Sequence, residues 1–241
     1  MKAILLCAGY ATRLYPLTEK TPKPLLPVGG KPILEHILEK VFKIPGVTEA
    51  VIVTNSKFFP HFQEWKKGKP WRLTILNDGT HSNEDRKGAL GDLQFALDSL
   101  KIADDCLVIA GDNLFSFSLQ SMVDCSKQKR AAVVTLYDVQ ELELAKLYGI
   151  VKIDTSGKII DFHEKPEHPT STLSSTGVYL YPHASLAKLK TFLAEGGKHD
   201  KSGDFLEWLY TREPVYGLVT TERWYDIGSL EQLEEARRAF P

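Results

Sequence analysis

The run KAILLCAGYATRLYPLTEKTPKPLLPVGGKPILEHILEKVF, residues 2–42, holds a strand, a long loop and a helix in an order that leaves few architectures open. After Lys2 the chain is continuously apolar as far as Ala8 and then stops at Gly9, as a strand buried on both faces of a parallel sheet does. The far end is helical: Pro32 suits a first turn, and Ile33, Leu34, Ile37, Leu38, Val41 and Phe42 form one apolar stripe. The connection between them is long for a compact domain, and loops of that kind are functional or disordered. Pro16, Pro22, Pro24 and Pro27 argue against disorder, and residues 10–31 carry Arg13, Lys20, Lys23 and Lys31 against the single acid Glu19. Two readings fit this local excess of positive charge, a solvated basic loop or a cradle for phosphates in which Gly9 admits the backbone and Arg13 and Lys23 neutralise oxygens.

The strand and helix pattern then repeats. EAVIVTN (49–55), RLTILND (72–78), CLVIAGDN (106–113) and AAVVTLYDV (131–139) read as strands, with helical periods over SKFFPHFQEWKK, GALGDLQFALDSL and QSMVDCSKQ between them. Such alternation predicts right-handed crossovers and a doubly wound, mostly parallel Rossmann-like α/β sheet. Beyond Tyr148 the texture changes to a hairpin around Ser156-Gly157, a strand SSTGVYLYP, helices near 183–195 and 203–211, the strand PVYGLVTT and a closing helix capped by Ser229. The hairpin region reads as a small inserted lobe, and no linker divides residues 1–241. In an open parallel sheet the ligand lies outside the carboxyl ends of the strands, which groups the loop from Ala8, the Gly111-Asp112-Asn113 corner and the helix start at Gly88 on one edge.

Composition excludes other classes. With 30 basic and 31 acidic residues the net charge is −1, so the chain has no global footprint for nucleic acid or an anionic membrane. Cys7, Cys106 and Cys125 have no metal-ligand spacing and read as core residues of a reducing compartment. The short apolar start lacks the form of a signal peptide, and no later run nears the roughly 20 residues of a spanning helix. The expectation is a cytoplasmic protein. Neither G-x-G-x-x-G nor a Walker loop is present, since in GGKP a proline stands where Ser or Thr would hold magnesium.

The stretch AGYATRLYPLTEKTPKPLLPVGGKPIL closely resembles the signature of the sugar-1-phosphate nucleotidyltransferases, and the likeness continues through GDN at 111–113, YGIVKID at 148–154, EKP at 164–166, STGVYLY at 175–181 and WYDIGS at 224–229. The resemblance implies transfer of a nucleotidyl group from a nucleoside triphosphate, UTP or dTTP being favoured, to a sugar 1-phosphate, glucose 1-phosphate being favoured. It also implies a nucleotide-binding part over 1–147 and a sugar-binding part over 148–241. On that scheme Arg13 and Lys23 are catalytic, and Ala8, Gly9, Tyr10, Ala11 and Thr12 line the nucleotide. Asn83 and Gly88 meet the base, while Gly149, Glu164, Lys165, Thr176 and Gly177 hold the sugar phosphate. Asp112 and Asp226, hard oxygen donors, hold Mg²⁺.

One departure stands out: the second glycine of the family's opening is Ala11, which is not expected to copy a glycine at positive φ. The base-reading stretch lacks the family's usual glutamine, so the base stays open among uridine, thymidine, cytidine and guanosine. Rival readings are a glycosyltransferase, disfavoured by the absence of D-x-D, and a non-catalytic nucleotide-sugar sensor. A choline-phosphate cytidylyltransferase is a third, for which Tyr148, Phe162, Trp208 and Trp224 would supply aromatic walls. A homo-oligomer is common in the family, but no sequence feature establishes one.

Overall fold

In the computed structural model, which describes residues 1–240, the chain forms thirteen strands and nine helices. The first half contains β1 (Lys2–Leu6), β2 (Pro27–Val28), β3 (Lys31–Pro32), α1 (Ile33–Val41), β4 (Ala50–Thr54), α2 (Phe59–Trp65), β5 (Leu73–Asn77), α3 (Gly88–Leu100), β6 (Cys106–Ala110), β7 (Asn113–Phe115), α4 (Gln120–Lys129) and β8 (Ala132–Asp138). After α5 (Leu142–Ala145) come β9 (Gly149–Ile153), β10 (Ile159–Glu164), β11 (Leu173–Tyr181), α6 (His183–Leu186), α7 (Leu189–Ala194), α8 (Ser202–Leu209), β12 (Val215–Thr220), β13 (Trp224–Asp226) and α9 (Leu230–Ala239).

The main sheet has nine strands in the order β10-β9-β11-β6-β1-β4-β5, with β8 on β11 and β12 on β8. β6, β1, β4 and β5 run parallel, as do β8 and β12, while β11 is antiparallel to its neighbours. The alternation of side chains across β1 assigns them to two cores: Ala3 and Leu5 join one and Ile4 the other. Buried residues of α1, α2, α4 and α9 cover the first face, and those of α3 and α6–α8 cover the second. The apolar stripe of α1 is wholly consumed, with Ile33, Leu34, Ile37, Leu38 and Val41 buried against the sheet. Truncating any of its leucines to alanine is expected to cost about 2–5 kcal/mol.

Two features position the site. The predicted hairpin β9–β10 hangs from the start of β11 by the single pair Ser174↔Ile150, so it joins the sheet edge. The long amino-terminal loop is not structureless: 3₁₀ turns at Thr12–Leu14 and Lys23–Leu25 and the small β2–β3 pairing occupy it. No helix among the described residues is long and apolar enough to cross a membrane.

Candidate active site

The loop after β1 is shaped by which side chains it buries. Tyr10 and Leu14 are drawn into the protein, and the Thr18 hydroxyl donates to the Ala11 carbonyl at 2.7 Å, so Gly9, Thr12 and Arg13 are left exposed at the carboxyl edge of the sheet. Ala11 sits at φ 50°, ψ 43°. That corrects the expectation drawn from its side chain: it does take the left-handed conformation a glycine would supply, held there by its buried neighbours despite a cost of about 1–2 kcal/mol. Of the four loop cations, Lys31 is spent on Glu39 at 2.5 Å and Lys20 is simply exposed. Lys23 points into the cleft, where its ammonium donates to Asp112 Oδ2 at 2.6 Å and to the Ile227 carbonyl at 2.8 Å. Cys7, Gly9, Ala11, Lys23 and Asp112 enclose a hollow of about 90 Å³.

A two-stranded sheet brings the acids together. β13 pairs antiparallel with β7, placing Asp226 opposite Asn113, and the Ile227 N–H donates to the Asp112 carbonyl at 3.2 Å. The Trp224 indole N–H donates to Asn113 Oδ1 at 2.7 Å and locks the two corners. Burial alone would raise the Asp112 pKa, but the charge and hydrogen bond of Lys23 outweigh it and hold that carboxyl below its usual value. Asp226 has no such partner; burial and then the charge of Asp112 push it up to about 6. Arg13 reaches the same place, with its guanidinium beside Gly228 and its charge felt by both acids. Among the described residues no third His, Cys, Asp or Glu completes a metal cage.

A cavity of about 260 Å³ adjoins the acids, lined on one side by Asp112 and Asp226 and on the other by Gly149, Glu164, Lys165, Thr176 and Gly177, the residues expected there. The Glu164 carboxyl is wedged between two glycines: a Cβ built on Gly149 would stand 2.8 Å from Glu164 Oε2, and one on Gly203 would overlap it. Burial pushes this carboxyl up to about 7, with Lys165 and Lys201 acting against the rise. A hydroxyl chain runs from Ser175 to Tyr179 to Ser202, each step 3.2 Å, along the same wall. The sequence reading did not single out Ser175 and Tyr179, although both flank the expected Thr176 and Gly177 on β11, and nothing in the polar stretch around Lys201 marked it. Of the four aromatics weighed for a choline-type site, only Tyr148 and Trp224 line the cavity; Phe162 is fully buried and Trp208 is stacked under Arg212.

The stretch read as base-binding lies beside this cavity. The Asn83 carbonyl accepts from Arg86 at 2.9 Å, and Arg86 also pairs with Asp200 at 3.0 Å. Gly88, at φ +76°, opens α3 as expected, but what requires a glycine there is the chain itself: a Cβ would overlap the His199 carbonyl and stand 2.7 Å from Asp200 Cα. The carbonyls of His199 and Asp200 accept from Leu90 and Ala89, so these amides of the helix start are already engaged.

A family model described as nucleotidyl transferase matches residues 2–240. A bifunctional protein GlmU from Methanocaldococcus jannaschii is 33% identical over 241 residues, covering 99% of this chain and 54% of that protein. A UTP–glucose-1-phosphate uridylyltransferase, AglF, from Haloferax volcanii is 29% identical, covering 99% of this chain and 96% of its own length. The chain spans about half the length of the GlmU relatives it matches. Among solved structures, a glucose-1-phosphate thymidylyltransferase from Bacillus anthracis with bound sucrose superposes at TM-score 0.78 with 27% identity, covering 100% of this chain and 95% of that one. A UDP-glucose pyrophosphorylase complexed with UDP-glucose reaches TM-score 0.84 at 22% identity, a likeness of fold. The nucleotidyl-transferase match runs through the loop that carries Lys23, the β6–β7 corner that carries Asp112 and the strand that carries Asp226, and the chain belongs to the sugar-1-phosphate nucleotidyltransferase family.

Proposed function

We propose that the protein transfers a nucleotidyl group from a nucleoside triphosphate, with UTP or dTTP preferred, to a sugar 1-phosphate, with glucose 1-phosphate preferred, forming a nucleotide sugar and pyrophosphate. The observation that carries this reading is the convergence of Lys23, Asp112 and Asp226 between the hollow of the amino-terminal loop and the cavity of Glu164, Lys165, Thr176 and Gly177. Uridylyl and thymidylyl preferences rest on what the relatives are named for. A sugar-phosphate oxygen forms a bond to the α-phosphorus while the bond to the bridging oxygen breaks, and pyrophosphate leaves with the electron pair. The attacker is already an anion, so no general base is needed and the work is positioning and charge stabilisation. The loop backbone at Ala8, Gly9, Tyr10, Ala11 and Thr12 receives the triphosphate, with Arg13 gripping the leaving phosphates and Lys23 meeting charge near the α-phosphate. Asn83 and Gly88 flank the base. Lys165 meets the sugar phosphate, and Gly149, Glu164, Thr176 and Gly177 receive the sugar.

Mg²⁺ fits the two aspartates: their oxygens are hard donors, and a cation they held would offset the burial and the Asp112 charge that together raise the Asp226 carboxyl to about 6. Bound there, the ion would supply Lewis-acid charge to the phosphates. The test is a matrix of UTP, dTTP, CTP, GTP and ATP against a panel of sugar 1-phosphates, with magnesium and with chelator, scored by pyrophosphate release. Release that requires both substrates and the metal is expected. Turnover of none of the pairs, with nucleotide sugar still bound, overturns the reading in favour of a sensor.

A further inference from the structure

Gln232, in the first turn of α9, lines neither the hollow of the amino-terminal loop nor the sugar cavity, and its spacing from Ser229 is that of a helix-capping box. In such a box the serine hydroxyl takes the amide of the third helical residue, and the glutamine side chain reaches back to the amide of the serine itself. The first half is present, with the Gln232 N–H donating to Ser229 Oγ at 3.2 Å. The second half is diverted: Gln232 Oε1 accepts from the N–H of Gly228, one residue earlier, at 2.9 Å. Gly228 is buried, so its amide needs a partner, and its other acceptor, the Asp226 carbonyl at 3.0 Å, stands only two residues back, across a turn too tight for a well-aligned bond. Three charged groups of the cleft are referred to this corner. Asp226 begins it. The Ile227 carbonyl accepts from Lys23 at 2.8 Å, while the Ile227 N–H donates to the Asp112 carbonyl at 3.2 Å. Arg13 lies against Gly228: a Cβ built there would stand 3.1 Å from Gln232 Oε1 and 3.4 Å from Arg13 Nη2, so the bare glycine lets amide and guanidinium close on one spot.

We infer that Gln232 is a positioning residue: by holding the Gly228 amide it fixes the corner Asp226–Gly228, and through that corner the relative placement of Asp226, Lys23 and Arg13. The brace stands on the hydrogen bonds themselves; its consequence for turnover rests on the proposed transfer reaction. Capping does not require this arrangement, since a box closed on the Ser229 amide would secure α9 and leave the corner loose. Catalysis by placed charges does require it, because a misplacement of about 1 Å, even from a change remote from the chemistry, costs up to about a hundredfold in rate.

Three variants test it. Gln232→Met keeps the length of the side chain and removes the acceptor, Gln232→Glu keeps an acceptor in the same place, and Ser229→Ala removes the helix cap while leaving the Gly228 bond. Amide hydrogen exchange at Gly228, read in the full chain without substrates, is expected to be slow in wild type and Gln232→Glu and about five- to twentyfold faster in Gln232→Met, the effect of one lost hydrogen bond. In pyrophosphate release, Gln232→Met should lower turnover and raise the half-saturating Mg²⁺ concentration, each by about tenfold, with Gln232→Glu recovering to within about threefold of wild type. Ser229→Ala should lower Tm by roughly 2–4 °C with turnover and Mg²⁺ dependence near those of wild type. A Gly228 amide that exchanges freely in the wild type overturns the brace without any variant. Turnover of Gln232→Met equal to that of wild type, or losses in Ser229→Ala that match those in Gln232→Met, overturn the positioning role and leave Gln232 a helix cap. Should Gln232→Met fail to fold, Gln232→Asn, one methylene too short to reach Gly228, takes its place. Failure of the proposed activity shows separately, as absent pyrophosphate release from the wild type with the Gly228 exchange pattern intact.

Discussion

Replacing Lys23 with alanine separates two things the ammonium does. In the ligand-free cleft it neutralises Asp112 from 2.6 Å while also donating to the Ile227 carbonyl. In the proposed reaction it is the cation assigned to the α-phosphate. Losing a preorganised donor to transition-state charge costs about 10²–10³ in turnover, or roughly 2.7–4 kcal/mol. Structural damage is smaller: the two side chains are 14% and 30% exposed, between a surface pair worth about 0.2–1 kcal/mol and a buried pair whose breaking costs about 3–5 kcal/mol. A loss of about 1–3 kcal/mol follows, which in a chain of this length lowers Tm by roughly 2–12 °C. Metal binding should move the other way, because Lys23→Ala leaves two aspartates with less positive charge beside them. The assay is pyrophosphate release at saturating substrates, with calorimetric Mg²⁺ titration and a melting curve on the same samples. A drop in turnover of only a few-fold, with the metal site intact, refutes the assignment of Lys23 to the chemistry.

Four further outcomes follow from the same geometry. The apo protein should melt higher at pH 5 than at pH 8, because raised carboxyl pKa values make stability that is present at low pH disappear as pH climbs through about 6 for Asp226, 7 for Glu164 and 8 for Asp92; Asp226→Asn should remove the part between about pH 4 and 6, and a melting point that rises steadily from pH 5 to 8 contradicts it. Activity, by contrast, should fall below about pH 6 as Asp226 takes up a proton and no longer serves a metal, and a rate–pH profile flat down to pH 5 is the opposing result. Ala11→Gly should be neutral or stabilise by up to about 1 kcal/mol in urea titration, against the usual penalty of a glycine, since the residue already sits at φ 50°; a loss of 1 kcal/mol would mean the left-handed conformation is wrong. Gly203→Ala should raise KM for the sugar phosphate far more than that for the triphosphate, because the new methyl displaces Glu164, and equal changes in both would count against Glu164 as a sugar contact.

The residues around Lys23 show how far the sequence alone reaches. Continuous apolar runs stopping at Gly9 and Gly111, and one helical stripe between, were sufficient for a doubly wound sheet and for the edge that bears the cleft, because periodicity and strand ends are local properties of the chain. The loop signature likewise singled out Arg13 and Lys23, and the GDN and WYDIGS stretches Asp112 and Asp226. What the chain order could not encode is which of them face one another. That Lys23 is paired with Asp112, that burial and the charge of Asp112 raise the Asp226 carboxyl to about 6, and that Lys31 is diverted to Glu39 follow from distances set by the β7–β13 pairing and the packing of the 3₁₀ turns. The left-handed Ala11 and Lys201 in the cavity wall were hidden for the same reason. Charge state and strain depend on burial and on neighbours remote in sequence, and only the folded chain brings those neighbours within reach of one another.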